Sequence, residues 1–163
     1  MEINQFDALL PPQMAERAAE AGVGKATKDP MKSFLLAITA GLHIGIAFIF
    51  YTTITTGAGD LPWGLTRFLG GLAFSLGLVL VIITGGELFT SSVLTLVARA
   101  SGKITWRALF KNWMVVYVGN MLGALFLVGI MLTAKQYMFD GARLALTPCT
   151  LLNTNCITTF GKR

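Results

Sequence analysis

Charge is scarce in this chain. Of its 163 residues, 13% are charged and 54% are hydrophobic, with a mean hydropathy of +0.67, whereas soluble domains carry roughly 25% charge. That deficit excludes a water-solvated globule, and it excludes a disordered chain, which needs high charge and few apolar residues. A net charge of +5 does not make this a nucleic-acid binder. Its 13 Lys and Arg have to sit in short segments between apolar stretches, where they meet anionic lipid headgroups and set orientation. Residues that carry chemistry are equally thin. One histidine, two cysteines and no paired carboxylates leave no zinc set, no Ser-His-Asp constellation and no glycine-rich phosphate loop. The chain reads as no enzyme, with no cofactor and no metal.

What it does have is long uncharged runs. These are Ser33 to Gly59 (27 residues), Phe68 to Gly86 (19), Leu88 to Ala98 (11) and Asn112 to Ala134 (23). About 20 apolar residues span a bilayer, so the first and last runs predict spans over residues 34–55 and 113–132. The middle pair is parted only by Glu87 and reaches 31 residues, about 46 Å as a straight helix at ~1.5 Å per residue. A single straight span does not need that length. Its break falls at Thr84-Gly85-Gly86-Glu87-Leu88-Phe89-Thr90-Ser91-Ser92, where two glycines, a carboxylate and three hydroxyls make poor helix-interior chemistry. The spacing predicts a helix over 67–84, a loop at 85–90 structured by Gly85, Gly86 and Glu87, and a half-helix over 91–100. Irregular backbone at membrane depth survives only where protein or a water-filled cavity surrounds it. A broken span therefore implies a passage or a binding site.

Orientation follows from the basic residues. Arg17, Lys25, Lys28 and Lys32 precede the first span, Arg67 alone occupies the first loop, and Arg99, Lys103, Arg107 and Lys111 occupy the second. This asymmetry places the N-terminus and the second loop in the cytoplasm; Lys135 and Arg143, which then lie outside, mildly violate the rule. The opening Met1-Glu2-Ile3-Asn4 lacks a basic leader, so no signal peptide is expected. Residues 11–24 predict an amphipathic helix under the bundle, with Pro12 near its start and Met14, Ala15, Ala18 and Ala19 on its apolar side. The resulting division is a cytoplasmic segment over 1–32, three spans over 33–134 and a polar tail over 135–163. Cys149 and Cys156 lie seven apart in that tail; an oxidising compartment permits a disulfide, but free thiols are expected because the tail has no other sign of a fold.

Several residues have both a bland and a functional reading. Gly41-Leu-His-Ile-Gly45 and Gly119-Asn-Met-Leu-Gly123 let helix backbones approach closely, within a subunit or between subunits. His43 either relays protons or hydrogen-bonds to a neighbouring helix. Glu87 is costly at this depth and must face a helix, a backbone donor or water; it either holds the loop or touches a solute. Thr90, Ser91 and Ser92 are expected to cap the half-helix, whose N-terminal N–H groups favour an anion. Thr90 and Ser91 are thus candidate anion-path residues.

The run Ile82-Ile83-Thr84-Gly85-Gly86-Glu87-Leu88-Phe89-Thr90-Ser91 closely resembles the broken-helix motif of the formate/nitrite transporter family, as does Gly24-Lys25-Ala26-Thr27-Lys28-Asp29-Pro30. Phe74-Ser75-Leu76-Gly77-Leu78 is similar to the formate-channel branch, and the resemblance covers about residues 7–140. It implies an all-α membrane protein with an aquaporin-like bundle of two inverted three-helix halves. Such a protein is a homopentamer in the bacterial inner membrane, with one pore per subunit for formate and related small monovalent anions. The matching residues Phe74, Leu78 and Phe89 would form apolar pore constrictions, and Thr90 would help a central histidine bind the anion. By resemblance this chain is the first half alone, a half-bundle of three transmembrane helices, the second broken, after the N-terminal amphipathic helix. His43 does not match the central histidine.

The tail from Leu144 to Arg163 does not resemble the family as written. Codons possible for Leu152-Asn153-Thr154-Asn155-Cys156-Ile157-Thr158, read from the third base of the first, spell Gln-His-Lys-Leu-His-His, which is similar to a run after the family's third span. Codon degeneracy makes that match permissive; a frameshift between about residues 139 and 143 and a truncated channel are expected, the alternative being an unrelated polar tail. The alternative to transport is a membrane fragment that associates with full-length subunits, and a small membrane scaffold is a third reading.

Overall fold

A computed structural model describes residues 10–57 and 61–138. The expectations for Cys149, Cys156, Arg143, the frameshift and most of the polar tail lie outside the described residues. The described chain is helical. It contains α1 (Pro11–Thr27), α2 (Pro30–Thr55), α3 (Trp63–Thr84), α4 (Phe89–Ser92), α5 (Thr95–Ala100) and α6 (Trp106–Thr133), followed by a 3-10 turn at Gln136–Met138. α2, α3 and α6 are each long and apolar enough to cross a membrane.

The ends of these helices follow from local chemistry. α1 starts with Pro11 and Pro12, whose missing N–H costs nothing in a first turn, and the Leu10 N–H donates to Gln13 Oε1 at 3.0 Å. It runs three residues beyond the expected 24 and stops before Asp29-Pro30, because a residue ahead of proline is steered out of helical geometry. α2 begins at Pro30, with Asp29 accepting from the Met31 N–H at 3.2 Å. α6 begins at Trp106, with Thr105 Oγ1 accepting from the Ala108 N–H at 3.3 Å. All three spanning helices start before the expected 34, 67 and 113. Their first two turns contain Lys32, Arg67, Arg107 and Lys111, long side chains that can carry their charge to the membrane surface while their backbone stays helical. Arg67, expected in the first loop, lies in α3, where its guanidinium donates to the Tyr51 hydroxyl and stacks 5.6 Å from the Trp63 ring centre.

Two glycine contacts set the packing. A Cβ on Gly41 would lie 2.3 Å from the Asn120 carbonyl oxygen, and one on Gly123 would lie 2.2 Å from the Ile38 carbonyl oxygen. The two small-residue motifs therefore face each other, and both serve contact between α2 and α6 within one chain. Gly77 does the same between α3 and α2, where a Cβ would fall 2.9 Å from the His43 carbonyl oxygen. The loss of apolar driving force between helices in lipid is made up by such close approach. α1 packs on α5 through Gly22, whose Cβ would meet the Leu94 carbonyl oxygen at 2.8 Å. Its buried side is Ala19 and Gly22, backed by Val23 and Ala26 against the cluster of Ala98, Ile104 and Leu109. Met14 and Ala15, expected on that side, are exposed, because the helix turns its C-terminal half, not its N-terminal half, towards the bundle.

Candidate functional site

The second span breaks where its sequence stops favouring a helix. Gly85 ends α3 in the left-handed region at φ 64°, a conformation that costs glycine nothing. The Gly85 N–H donates to the Ile82 carbonyl at 3.1 Å and the Gly86 N–H to the Val81 carbonyl at 2.9 Å, a Schellman closure that satisfies two of the orphan acceptors at the helix end. The chain then crosses to α2, where the Glu87 N–H donates to the Leu36 carbonyl at 3.2 Å.

Asn120 of α6 secures the rest. Its Nδ2 donates to the carbonyls of Glu87 and Ala37, each at 2.8 Å, and its Oδ1 accepts from the Phe89 N–H at 2.9 Å. One side chain thus ties the break to both neighbouring spans and satisfies backbone groups that lipid cannot. Sequence reasoning passed over Asn120; the available sign was a lone carboxamide between Gly119 and Gly123 in an otherwise apolar run.

Glu87 is 4% exposed. It is paired with two lysines from the end of α1: Lys28 Nζ stands 2.9 Å from Oε1, and Lys25 Nζ donates to Oε2. Neither lysine was expected to meet Glu87. Their i,i+3 spacing at the end of an amphipathic helix was visible, but their partner lies about sixty residues on. Of the partners open to Glu87, its carboxylate takes ammonium groups, while the N–H groups of Glu87 and Phe89 go to Leu36 and Asn120. Lys25 is itself held by Asn112, whose Nδ2 donates to the Lys25 carbonyl at 3.1 Å. Lys25 Nζ also donates to Ser91 Oγ at 3.3 Å. Two ammonium groups against one carboxylate leave a positive charge in excess beside Ser91.

The half-helix divides into α4 and α5, turned at Val93 and Leu94. The expected hydroxyl caps at its start are absent: Ser91 and Ser92 donate back to the Leu88 carbonyl at 2.9 and 3.2 Å, because a hydroxyl three or four residues on reaches that acceptor more readily than an N–H ahead of it. Trp113 Nε1 braces the turn, donating to Thr95 Oγ1 at 2.9 Å and the Ser92 carbonyl at 3.1 Å.

The remaining candidates occupy separate places. Phe89 packs edge-on to Trp113 and Tyr117, with ring centres 5.8 and 5.6 Å away. Phe74 shares an apolar cavity of about 460 Å³ with Phe48, Leu88, Asn120 and Leu127. Leu78 is exposed on α3, and Thr90 and Ser91 are exposed at the start of α4. His43 Nδ1 is 3.5 Å from the Thr84 hydroxyl, which itself donates to the Leu80 carbonyl; a bond to the neighbouring helix is the arrangement present. Among the described residues no group of three or more His, Cys, Asp and Glu could hold a metal.

A family model described as formate/nitrite transporter matches residues 12–161, a stretch that runs into the tail. The chain is 57% identical over 135 residues to the formate channel FocA of Escherichia coli (strain K12), covering 83% of this chain and 47% of that protein. To the formate channel FocA of Haemophilus influenzae it is 46% identical over 140 residues, covering 86% and 49%. A solved structure of a pentameric formate channel with formate bound matches with a TM-score of 0.70 at 64% identity, over 75% of this chain and 48% of that one. The chain spans about half the length of the curated relatives it matches.

Proposed function

The chain belongs to the formate/nitrite transporter family and is an all-α, multi-pass membrane protein; on that premise we propose that it builds half of a transmembrane path for formate and related small monovalent anions. The observation that carries this reading is the stapled break, with an excess positive charge at Lys25 and Lys28 and with Lys25 against the Ser91 hydroxyl. An anion approaching that end meets the lysine ammonium groups and the exposed Thr90 hydroxyl first and apolar side chains next. Phe89, Phe74 and Leu78 are the constrictions in this reading. A bare carboxylate loses its hydration there, so passage is favoured for an ion that is protonated or donor-bound.

The lysine-rich side, with the N-terminus, faces the cytoplasm of a bacterium, in keeping with the basic residues of α1 and of the loop before α6. Similarity to a pentameric formate channel supports a homopentamer. No enzymatic step belongs to this reading.

Thr90 and Ser91 are exposed, so a closed path needs a second surface over them. That observation favours a second reading, a fragment that does not transport alone but associates with full-length subunits. Formate flux into liposomes separates the two. Saturable flux with this chain alone, lost in Thr90→Val, supports the path; flux no greater than in protein-free liposomes, together with co-purification with a full-length relative, supports the fragment and overturns the path.

A further inference from the structure

At the level where α2 and α6 enter the membrane, a polar cavity of about 180 Å³ is lined by Lys28, Pro30, Ser33, Ala108, Lys111 and Asn112. Two of these residues carry buried polar atoms with no partner among the described residues, Ser33 Oγ and Asn112 Oδ1; the residues are 2% and 7% exposed. Buried polar atoms are nearly always partnered, and leaving one unpartnered carries its full desolvation cost. Both atoms belong to residues that line this cavity, which points to an occupant with both donor and acceptor groups. Asn112 Oδ1 needs a donor, because the amide's nitrogen is committed to the Lys25 carbonyl. Ser33 can give a proton to an oxyanion. Lys28 keeps two of its three N–H donors beyond the one it gives Glu87, and the exposed Lys111 ammonium has no protein partner among the described residues.

Position decides what kind of oxyanion this is. Ser33 and Asn112 are the first residues of the two uncharged runs, and Lys32 and Lys111 are the last charges before them. The cavity therefore lies in the headgroup plane and opens where a lipid phosphate sits. Basic pockets between spanning helices at that depth suit anionic headgroups.

We propose that this cavity is a binding site for the headgroup of an anionic phospholipid. The phosphodiester sits between Lys28 and Lys111 and accepts from Ser33, and a headgroup hydroxyl donates to Asn112 Oδ1. Occupancy joins the junction of α1 and α2 to the start of α6 and satisfies both orphan atoms. Lys28 is shared with the cationic approach to the anion path, whereas Phe74, Leu78, Phe89, Thr90 and Ser91 take no part in it.

The test is native mass spectrometry of the full chain released from detergent micelles, with phosphatidylglycerol or phosphatidylcholine of matched acyl chains added. Phosphatidylglycerol should be retained at least tenfold more tightly. Lys111→Gln should weaken it about fivefold, the loss expected for one interfacial ammonium, whereas Lys103→Gln, in the same loop but outside the cavity, should leave it unchanged. Ser33→Ala should also weaken it, yet leave the lipid-free chain at least as stable, since the hydroxyl it removes has no partner there. Equal retention of the two lipids, or equal effects of Lys111→Gln and Lys103→Gln, overturns the site. Displacement of phosphatidylglycerol by millimolar inorganic phosphate overturns the lipid as its occupant and makes it a free-anion site.

Discussion

Asn120 and Glu87 meet through the backbone of one and the side chain of the other: the Asn120 carboxamide donates to the Glu87 carbonyl at 2.8 Å and accepts from the Phe89 N–H two residues on. The bend in the second span is thus held by the third. Replacing Asn120 with Leu keeps the volume and removes three hydrogen bonds. Two backbone groups of the break lose their partner, and the expected loss of stability is about 2–6 kcal/mol at ~1–3 kcal/mol per orphaned group. Unfolding in mixed micelles should register it, and an unchanged midpoint would mean that water already serves the loop.

Glu87→Gln leaves Lys25 and Lys28 without a counter-charge. Breaking a fully buried pair costs about 3–5 kcal/mol. Both lysines keep contact with solvent, at 22% and 34% of their side-chain surface, which lowers the expected cost to about 1–3 kcal/mol once screening is allowed for. α1 should detach first, and faster proteolysis within residues 11–27 would report that; unchanged cleavage, assembly and flux would favour the scaffold reading.

Glycines separate into two classes that a single substitution distinguishes. Gly123→Ala drives a methyl group towards the Ile38 carbonyl oxygen at 2.2 Å and should cost about 1–3 kcal/mol through overpacking. Gly71→Ala meets nothing within 4 Å in the middle of α3 and should stabilise by about 0.5–1 kcal/mol. Paired thermal denaturation of the two variants checks both signs.

Phe89→Ala removes a ring wedged against Trp113 and Tyr117. The ring is only half-buried, so the cost should be about 2 kcal/mol, below the ~3–5 kcal/mol of a fully buried aromatic. If Phe89 narrows the path, the flux of acetate relative to formate rises in this variant. A ratio that stays the same assigns Phe89 to packing alone.

The three spans and their break were legible because both signals are local. Runs free of charge mark the spans, and Gly85-Gly86-Glu87 cannot continue a helix. The helices extend beyond the uncharged runs, because Lys32, Arg107 and Lys111 are helical as well. The partners of the break were not legible. Lys25 lies 62 residues from Glu87 and Asn120 lies 33 residues beyond it, and no periodicity in the sequence links positions so far apart. The hydroxyls were misjudged for a competing local reason, because the Leu88 carbonyl captured Ser91 and Ser92 before any N–H could.

The dependence of the break on Asn120 also sets an order of events during synthesis. As the chain leaves the ribosome, Lys25 and Lys28 are already present when Glu87 emerges, but Asn120 follows 33 residues later. In that interval the Phe89 N–H and the Glu87 carbonyl have only water to turn to, and hydrocarbon offers none. The loop is therefore expected to reach its final depth only together with α6, whose Asn120 supplies those partners.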